Sequence, residues 1–178
     1  MLSKMFLAKS VMLTALFFTG CASGSKTATN AGMTTVYVVR HAEKLNTDSD
    51  TPLSPEGQKR AIALADRLAD AKVERIYATT RQRTQQTVAV LAERLGLEVV
   101  VMEPGAVGDL VTRIQASDRG KVVLVAGHSN TVADIVNGLS GKGLEGLPED
   151  RFDRLFRVDI AADGKAEVEE MRYGAPTP

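Results

Sequence analysis

The chain contains two histidines, and each directly follows a short apolar run: Val38-Val39-Arg40-His41 and Val125-Ala126-Gly127-His128. Imidazole is the side chain whose ordinary titration lies nearest neutral pH, so it can act there as a nucleophile or a proton carrier. One histidine after a strand is usually structural; two in the same position, with Arg40 beside the first, favour a site. A second basic pair, Arg81 and Arg83, follows another apolar run in Tyr77-Ala-Thr-Thr-Arg-Gln-Arg-Thr-Gln-Gln-Thr87. Guanidinium forks bind phosphate oxygens bidentately, where lysine offers only a point charge. The chemistry implied is handling of a phosphate monoester. Of the pair, Arg83 is assigned to that task and Arg81 is read as a solvated loop residue.

The elements that must position these residues are legible as alternating patterns. From Thr34 onward, short β-branched runs alternate with amphipathic stretches, the sequence form of βαβ units around a mainly parallel sheet. Strands are predicted over Val36–Val39, Arg75–Ala78, Val99–Met102 and Val122–Ala126. The last, with five consecutive apolar residues, has the composition of a central strand covered on both faces. Ser54-Pro55-Glu56 reads as a helix start, cap followed by proline, and that helix is expected to run to about Ala71. Val88, Leu91, Ala92 and Leu95 give the next helix one apolar face, ended by Gly96. A helix through Asp109–Ile114, another over Thr131–Leu139, and closing strands at Leu155–Ile160 and Glu167–Tyr173 complete a three-layer α/β/α sandwich. Because ligands bind outside the carboxyl ends of strands in open α/β sheets, both histidines and Arg83 fall on one sheet edge.

Other chemistries fit poorly. Gly127-His128-Ser129 lacks the glycine a serine nucleophile elbow needs two residues later, since Thr131 stands there. Ser129 or Asn130 instead reads as the cap of the following helix, whose N-terminus would face a phosphate. The histidines lack metal-site spacing and the folded domain has no cysteine, so no metal is expected. No Walker loop is present and no cofactor is implied. With 22 basic and 22 acidic residues and 4% aromatics, the chain has neither the field nor the stacking residues for nucleic acid.

Four ordered segments resemble the histidine phosphatase superfamily, with its phosphoglycerate-mutase-like fold. Val39-Arg40-His41-Ala42-Glu43-Lys44 is similar to the Arg-His-Gly signature, with alanine for glycine, and Leu53-Ser54-Pro55-Glu56-Gly57 to its helix start. Thr79–Thr87 resembles a segment of form S-x-x-x-R-x-x-Q-T, and Ala126-Gly127-His128-Ser129-Asn130-Thr131 the second-histidine motif of small bacterial members. The resemblance implies that His41 attacks phosphorus and becomes a phosphohistidine that water cleaves. Arg40, Arg83 and His128 would hold the transferring oxygens, with Asn130 as a further substrate contact. A backbone carbonyl should hold the other His41 nitrogen. The proton donor to the leaving alkoxide is less determined: Glu103, ending the third strand, is the first candidate and Glu43 the second.

The resemblance admits three functions. One is a phosphatase acting on a small phosphorylated substrate or a phosphorylated envelope component. The second is a phosphoglycerate-type mutase, disfavoured because the stretch from Thr87 to Lys121 is filled by helix, strand and helix and leaves no room for a large lid. The third is a phosphate-binding module without turnover.

The N-terminal residues form a separate unit. Lys4 and Lys9 precede the apolar run Val11–Phe18, too short for the ~20 residues of a membrane span, and Phe18-Thr19-Gly20-Cys21 resembles a bacterial lipobox. Residues 1–20 are therefore expected to be a lipoprotein signal peptide, Cys21 the lipidated residue, and 21–33 a flexible tether. Residues 34–178 are then the histidine phosphatase domain, monomeric and held at the periplasmic side of the bacterial outer membrane.

Overall fold

A computed structural model describes residues 32–178. The expected signal peptide, Cys21 and most of the tether lie outside the described residues. Six strands and four helices follow one another as β1 (Thr34–Arg40), α1 (Pro55–Arg67), β2 (Arg75–Thr79), α2 (Gln82–Leu95), β3 (Val99–Met102), α3 (Val107–Ser117), β4 (Val122–Gly127), α4 (Ser129–Ser140), β5 (Arg154–Ile160) and β6 (Ala166–Arg172). They form one sheet of order β3-β2-β4-β1-β5-β6. The β2–β3, β2–β4 and β1–β4 pairs are parallel, whereas β1–β5 and β5–β6 are antiparallel. The architecture is the α/β sandwich expected, with its two closing strands antiparallel.

Strand alternation divides the core into two layers. Val39, Ile76, Ala78, Leu124, Ala126 and Leu155 pack against α1 and α2 through Leu64, Leu68, Val88 and Leu91. The intervening residues Val36, Val38, Tyr77, Val123, Val125 and Phe156 meet α3 and α4 through Ile114, Val132, Ile135 and Val136. The β4 strand lies between β1 and β2, and Val123–Gly127 are all buried, as its unbroken apolar run requires.

Element ends depart from sequence expectation in two places. Helix α1 stops at Arg67 instead of near Ala71, because Leu68 and Val73 both turn into the core and Lys72 takes φ +57° between them. Helix α4 begins at Ser129, so its cap is His128 and not Ser129 or Asn130. The Thr131 hydroxyl accepts from the His128 amide at 3.0 Å and closes that turn. Ser54 caps α1 by accepting from the Gly57 amide at 3.1 Å, and Gly96 ends α2 at φ +64°, both as the sequence indicates.

This topology creates a crevice at one place. The neighbouring parallel strands β1 and β4 lead to helices on opposite faces, α1 and α4, so the chain diverges beyond their carboxyl ends. Register pairs Arg40 with Gly127, and the His41 amide donates to Gly127 O at 2.9 Å. Each next side chain along the two strands is a histidine.

Candidate active site

The two imidazoles meet at the β1–β4 divergence, ring centroids 5.4 Å apart and at 64° to one another. They stand in an open cleft of ≈ 340 Å³ lined by Arg40, His41, Lys44, Arg81, Arg83, Pro104, Gly105, His128, Ser129, Asn130, Thr131 and Glu149. Two strand ends, the loop after β1, the start of α2 and the N-terminus of α4 thus supply its cations and donors.

His41 is fixed in one tautomer. Its Nδ1 lies 2.8 Å from Ala42 O, an atom that can only accept, so Nδ1 carries the proton and Nε2 keeps its lone pair. Burial lowers the His41 pKa to about 3 against the help of that carbonyl, and the Arg40, Arg83 and His128 charges lower it further. A neutral imidazole with a free Nε2 is the form a nucleophile requires. The His41 loop is held from both sides. Thr87 Oγ1 accepts from the Ala42 amide at 2.9 Å and donates to Arg83 O at 2.7 Å, while Gln86 Oε1 accepts from the Leu53 amide at 2.8 Å. Gly57 is needed for the same fit: a Cβ there would stand 2.3 Å from Glu43 O. The adjacent Gln and Thr of the α2 motif therefore build the loop of the first motif.

His128 faces the cleft from β4. Arg83 Nη2 lies 3.5 Å from its Nδ1, and because guanidinium can only donate, Nδ1 is the acceptor and Nε2–H points to Thr79 Oγ1 at 3.0 Å. Burial first, then Arg83, Arg81 and Arg40, lower its pKa to about 4. Thr79 and Thr87, neither singled out from sequence, thus hold one imidazole and the loop carrying the other. Their signal was a run of threonines flanking the arginine motif.

Arg40 is only 4% exposed and its guanidinium stacks 4.1 Å from the Phe152 ring centroid. Its Nη1 donates to Glu149 O and stands 3.4 and 3.5 Å from Pro148 O and Arg151 O. Burial lowers the Arg40 pKa; the Glu149 and Asp150 carboxylates oppose that. Arg83 donates through Nη1 to Ser49 O at 2.8 Å. The Nε atoms of both arginines are buried with no protein partner, which fits an oxyanion as the missing acceptor.

The predicted residues do not all converge. Arg40, His41, Arg83, His128 and Asn130 share the cleft, and so does Arg81, contrary to the expectation of a solvated loop residue. Glu103 is exposed and lines a neighbouring cavity of ≈ 20 Å³ that shares Pro104 and Thr131 with the cleft. Glu43 is taken up by Arg60, whose Nε contacts its two oxygens at 2.9 and 3.0 Å and whose Nη2 reaches Oε1 at 2.7 Å. Glu149, exposed like Glu103, is the carboxylate that lines the cleft, and its loop has no periodic pattern to mark it in the sequence. Among the described residues no group of three or more His, Cys, Asp or Glu is arranged to hold a metal, and no helix is long and apolar enough to cross a membrane.

A family model, the histidine phosphatase superfamily (branch 1), matches residues 36–104, which span β1, both strands after it and the His41 and Arg83 motifs. Among solved structures, that of the protein histidine phosphatase SixA complexed with tungstate superposes with a TM-score of 0.65 at 25% identity. The match covers 78% of this chain and 96% of that one. A structure described as mycobacterial hydrolase 1 gives the same TM-score, 0.65, at 19% identity over 80% of this chain and all of its own, a likeness of fold. Residues 36–104 thus match the histidine phosphatase superfamily, and the fold is similar to that of the protein histidine phosphatase SixA. Curated relatives of this chain include the "Probable phosphoglycerate mutase GpmB" of Cronobacter sakazakii (strain ATCC BAA-894), 26% identical over 150 residues, 80% of this chain and 61% of that one. The protein of the same name from Enterobacter sp. (strain 638) is 28% identical over 67% of this chain and 54% of its own. The chain thus spans little more than half the length of these relatives.

Proposed function

We propose that this protein is a phosphatase that hydrolyses phosphate monoesters through a phosphohistidine on His41 Nε2, with no cofactor. The observation that carries the reading is the His41 tautomer, Nδ1–H committed to Ala42 O and Nε2 unprotonated inside a cleft of arginines. The Nε2 lone pair attacks phosphorus, and the equatorial oxygens gain charge-assisted hydrogen bonds from Arg40 and Arg83. His128 joins them as a proton-bearing donor when the dianion arrives, because that charge opposes the desolvation and the arginine fields that lower its pKa. The exposed amides at the start of α4, by Ser129 and Asn130, face the same anion with the positive end of a 12-residue helix.

The mutase name of the matched relatives favours a second reading, phosphoryl transfer back to a bound acceptor. Against it stands the connection from α2 to β4, which holds β3 and α3 and no segment that could cover the cleft from water. A third reading, a binding module without turnover, requires an inert His41.

The test uses residues 32–178, p-nitrophenyl phosphate without added metal, and alkaline quenching of enzyme exposed to ³²P-labelled substrate. Turnover and an alkali-stable label, both lost in His41→Ala, support the phosphatase. Label without release of phosphate to water supports the mutase, and neither label nor turnover supports the binding module. The expected lipid anchor at Cys21 puts this activity at the bacterial envelope, on a phosphorylated envelope component or a small phosphomonoester.

A further inference from the structure

Glu149 lines the cleft with an exposed side chain, on a turn whose backbone is held by Arg40. Pro148–Arg151 form a turn closed by the Arg151 amide donating to Pro148 O at 3.2 Å, with Glu149 at its first corner. The turn wraps the Arg40 side chain, whose Nη1 donates to Glu149 O, and Phe152 follows, packed on the Arg40 guanidinium and 6.2 Å from the His41 ring. The far side is clasped by the C-terminal segment. Asp153, 1% exposed, accepts from Arg172 Nη1 and Thr177 Oγ1, both at 2.6 Å, and the Phe152 amide donates to Thr177 Oγ1 at 3.3 Å. A loop of 13 residues between α4 and β5 is therefore anchored where it carries the cleft's one carboxylate.

We propose that Glu149 is the proton donor to the leaving group, acting from the turn that Arg40 and Phe152 hold over His41. The proposal rests on the phosphatase reading above. In the first step the His41 Nε2–P bond forms as the P–O ester bond breaks. The electron pair passes to the ester oxygen, which takes the proton of the Glu149 carboxylic acid. In the second step water oxygen bonds to phosphorus, the N–P bond breaks, and the water proton returns to the Glu149 carboxylate. Acid and neutral imidazole are both restored, and the products are an alcohol and hydrogen phosphate. Glu103 lines the neighbouring cavity and not the cleft, and Glu43 is committed to Arg60.

The experiment compares Glu149→Gln and Glu103→Gln on a substrate with a poor leaving group, glycerol phosphate, and one with a good one, p-nitrophenyl phosphate. Positioned proton donors contribute roughly 10²–10⁴-fold where the leaving group needs them. Glu149→Gln should lower kcat/KM for glycerol phosphate by about 10²-fold or more and for p-nitrophenyl phosphate by under about tenfold. Equal losses on both substrates, or a selective loss in Glu103→Gln, would overturn the assignment. Label on His41 distinguishes the two failures: if the wild-type enzyme takes none from either substrate, the phosphatase reading itself fails.

Discussion

Lowering the pH from 8 to 5 protonates the two imidazoles in the unfolded chain long before it protonates them in the folded one. Both folded values are depressed, His41 to about 3 and His128 to about 4, from an ordinary 6.5, with burial the leading cause in each. The stabilisation of the neutral folded forms is therefore intact above pH 6.5 and is lost as pH falls toward 4 and then 3. At pH 5 the folded chain still holds neither proton, so the penalty is set by the unfolded state, about 2 kcal/mol for each ring and about 4 kcal/mol together. The chain has only these two histidines, so no third imidazole contributes. The assay is urea unfolding of wild type and of the double variant His41→Gln, His128→Gln at both pH values. Carboxylates titrate alike in the two proteins and cancel. Wild type should lose about 4 kcal/mol more than the variant between pH 8 and 5. A difference under about 1 kcal/mol would refute the claim that burial and the surrounding arginines hold both rings neutral.

Four further outcomes are expected. Thr87→Val leaves the buried Ala42 amide without its acceptor; it should cost about 1–3 kcal/mol by denaturant unfolding, and kcat should fall more than KM rises because Ala42 O orients the nucleophile. Gly57→Ala drives a Cβ into Glu43 O and should destabilise by about 1–3 kcal/mol in the same measurement, with loss of His41 labelling. Arg83→Lys keeps the charge and loses the fork, so inhibition by inorganic phosphate should weaken about tenfold or more, read from steady-state rates. Cys21→Ser should move the full-length protein from the membrane to the soluble fraction on cell fractionation, whereas retention at the membrane would exclude the lipid anchor.

The fold was legible because its signals are local. The five-residue apolar run of β4, the Ser54-Pro55 start of α1 and the Gly96 end of α2 each follow from backbone chemistry that needs no distant partner. The early end of α1 was not legible, since it depends on where Leu68 and Val73 find the core. The cleft divides in the same way. Arg40, His41 and His128 lie at strand ends, where the pattern of alternating elements already sends them to one edge. The place of Arg81 in the cleft is not legible, because sequence cannot tell which way the residue capping α2 faces.

Glu149 carries no mark in the sequence, for a physical reason that also bears on mechanism. Glu103 follows the end of β3 and opens a turn closed by the Ala106 amide donating to Glu103 O at 3.0 Å, and it is the next two residues, Pro104 and Gly105, that line the cleft. Glu149 comes from an aperiodic loop whose position is set by contacts 108 to 111 residues away in sequence, between Arg40 and the carbonyls of Pro148, Glu149 and Arg151. The same guanidinium that is to bind phosphate therefore orders the wall opposite it. Phosphate binding at Arg40 and placement of Glu149 are then coupled, and a change at Phe152 should disturb both. Phe152→Ala should raise KM and lower kcat together, whereas a wall independent of Arg40 would move only one of them.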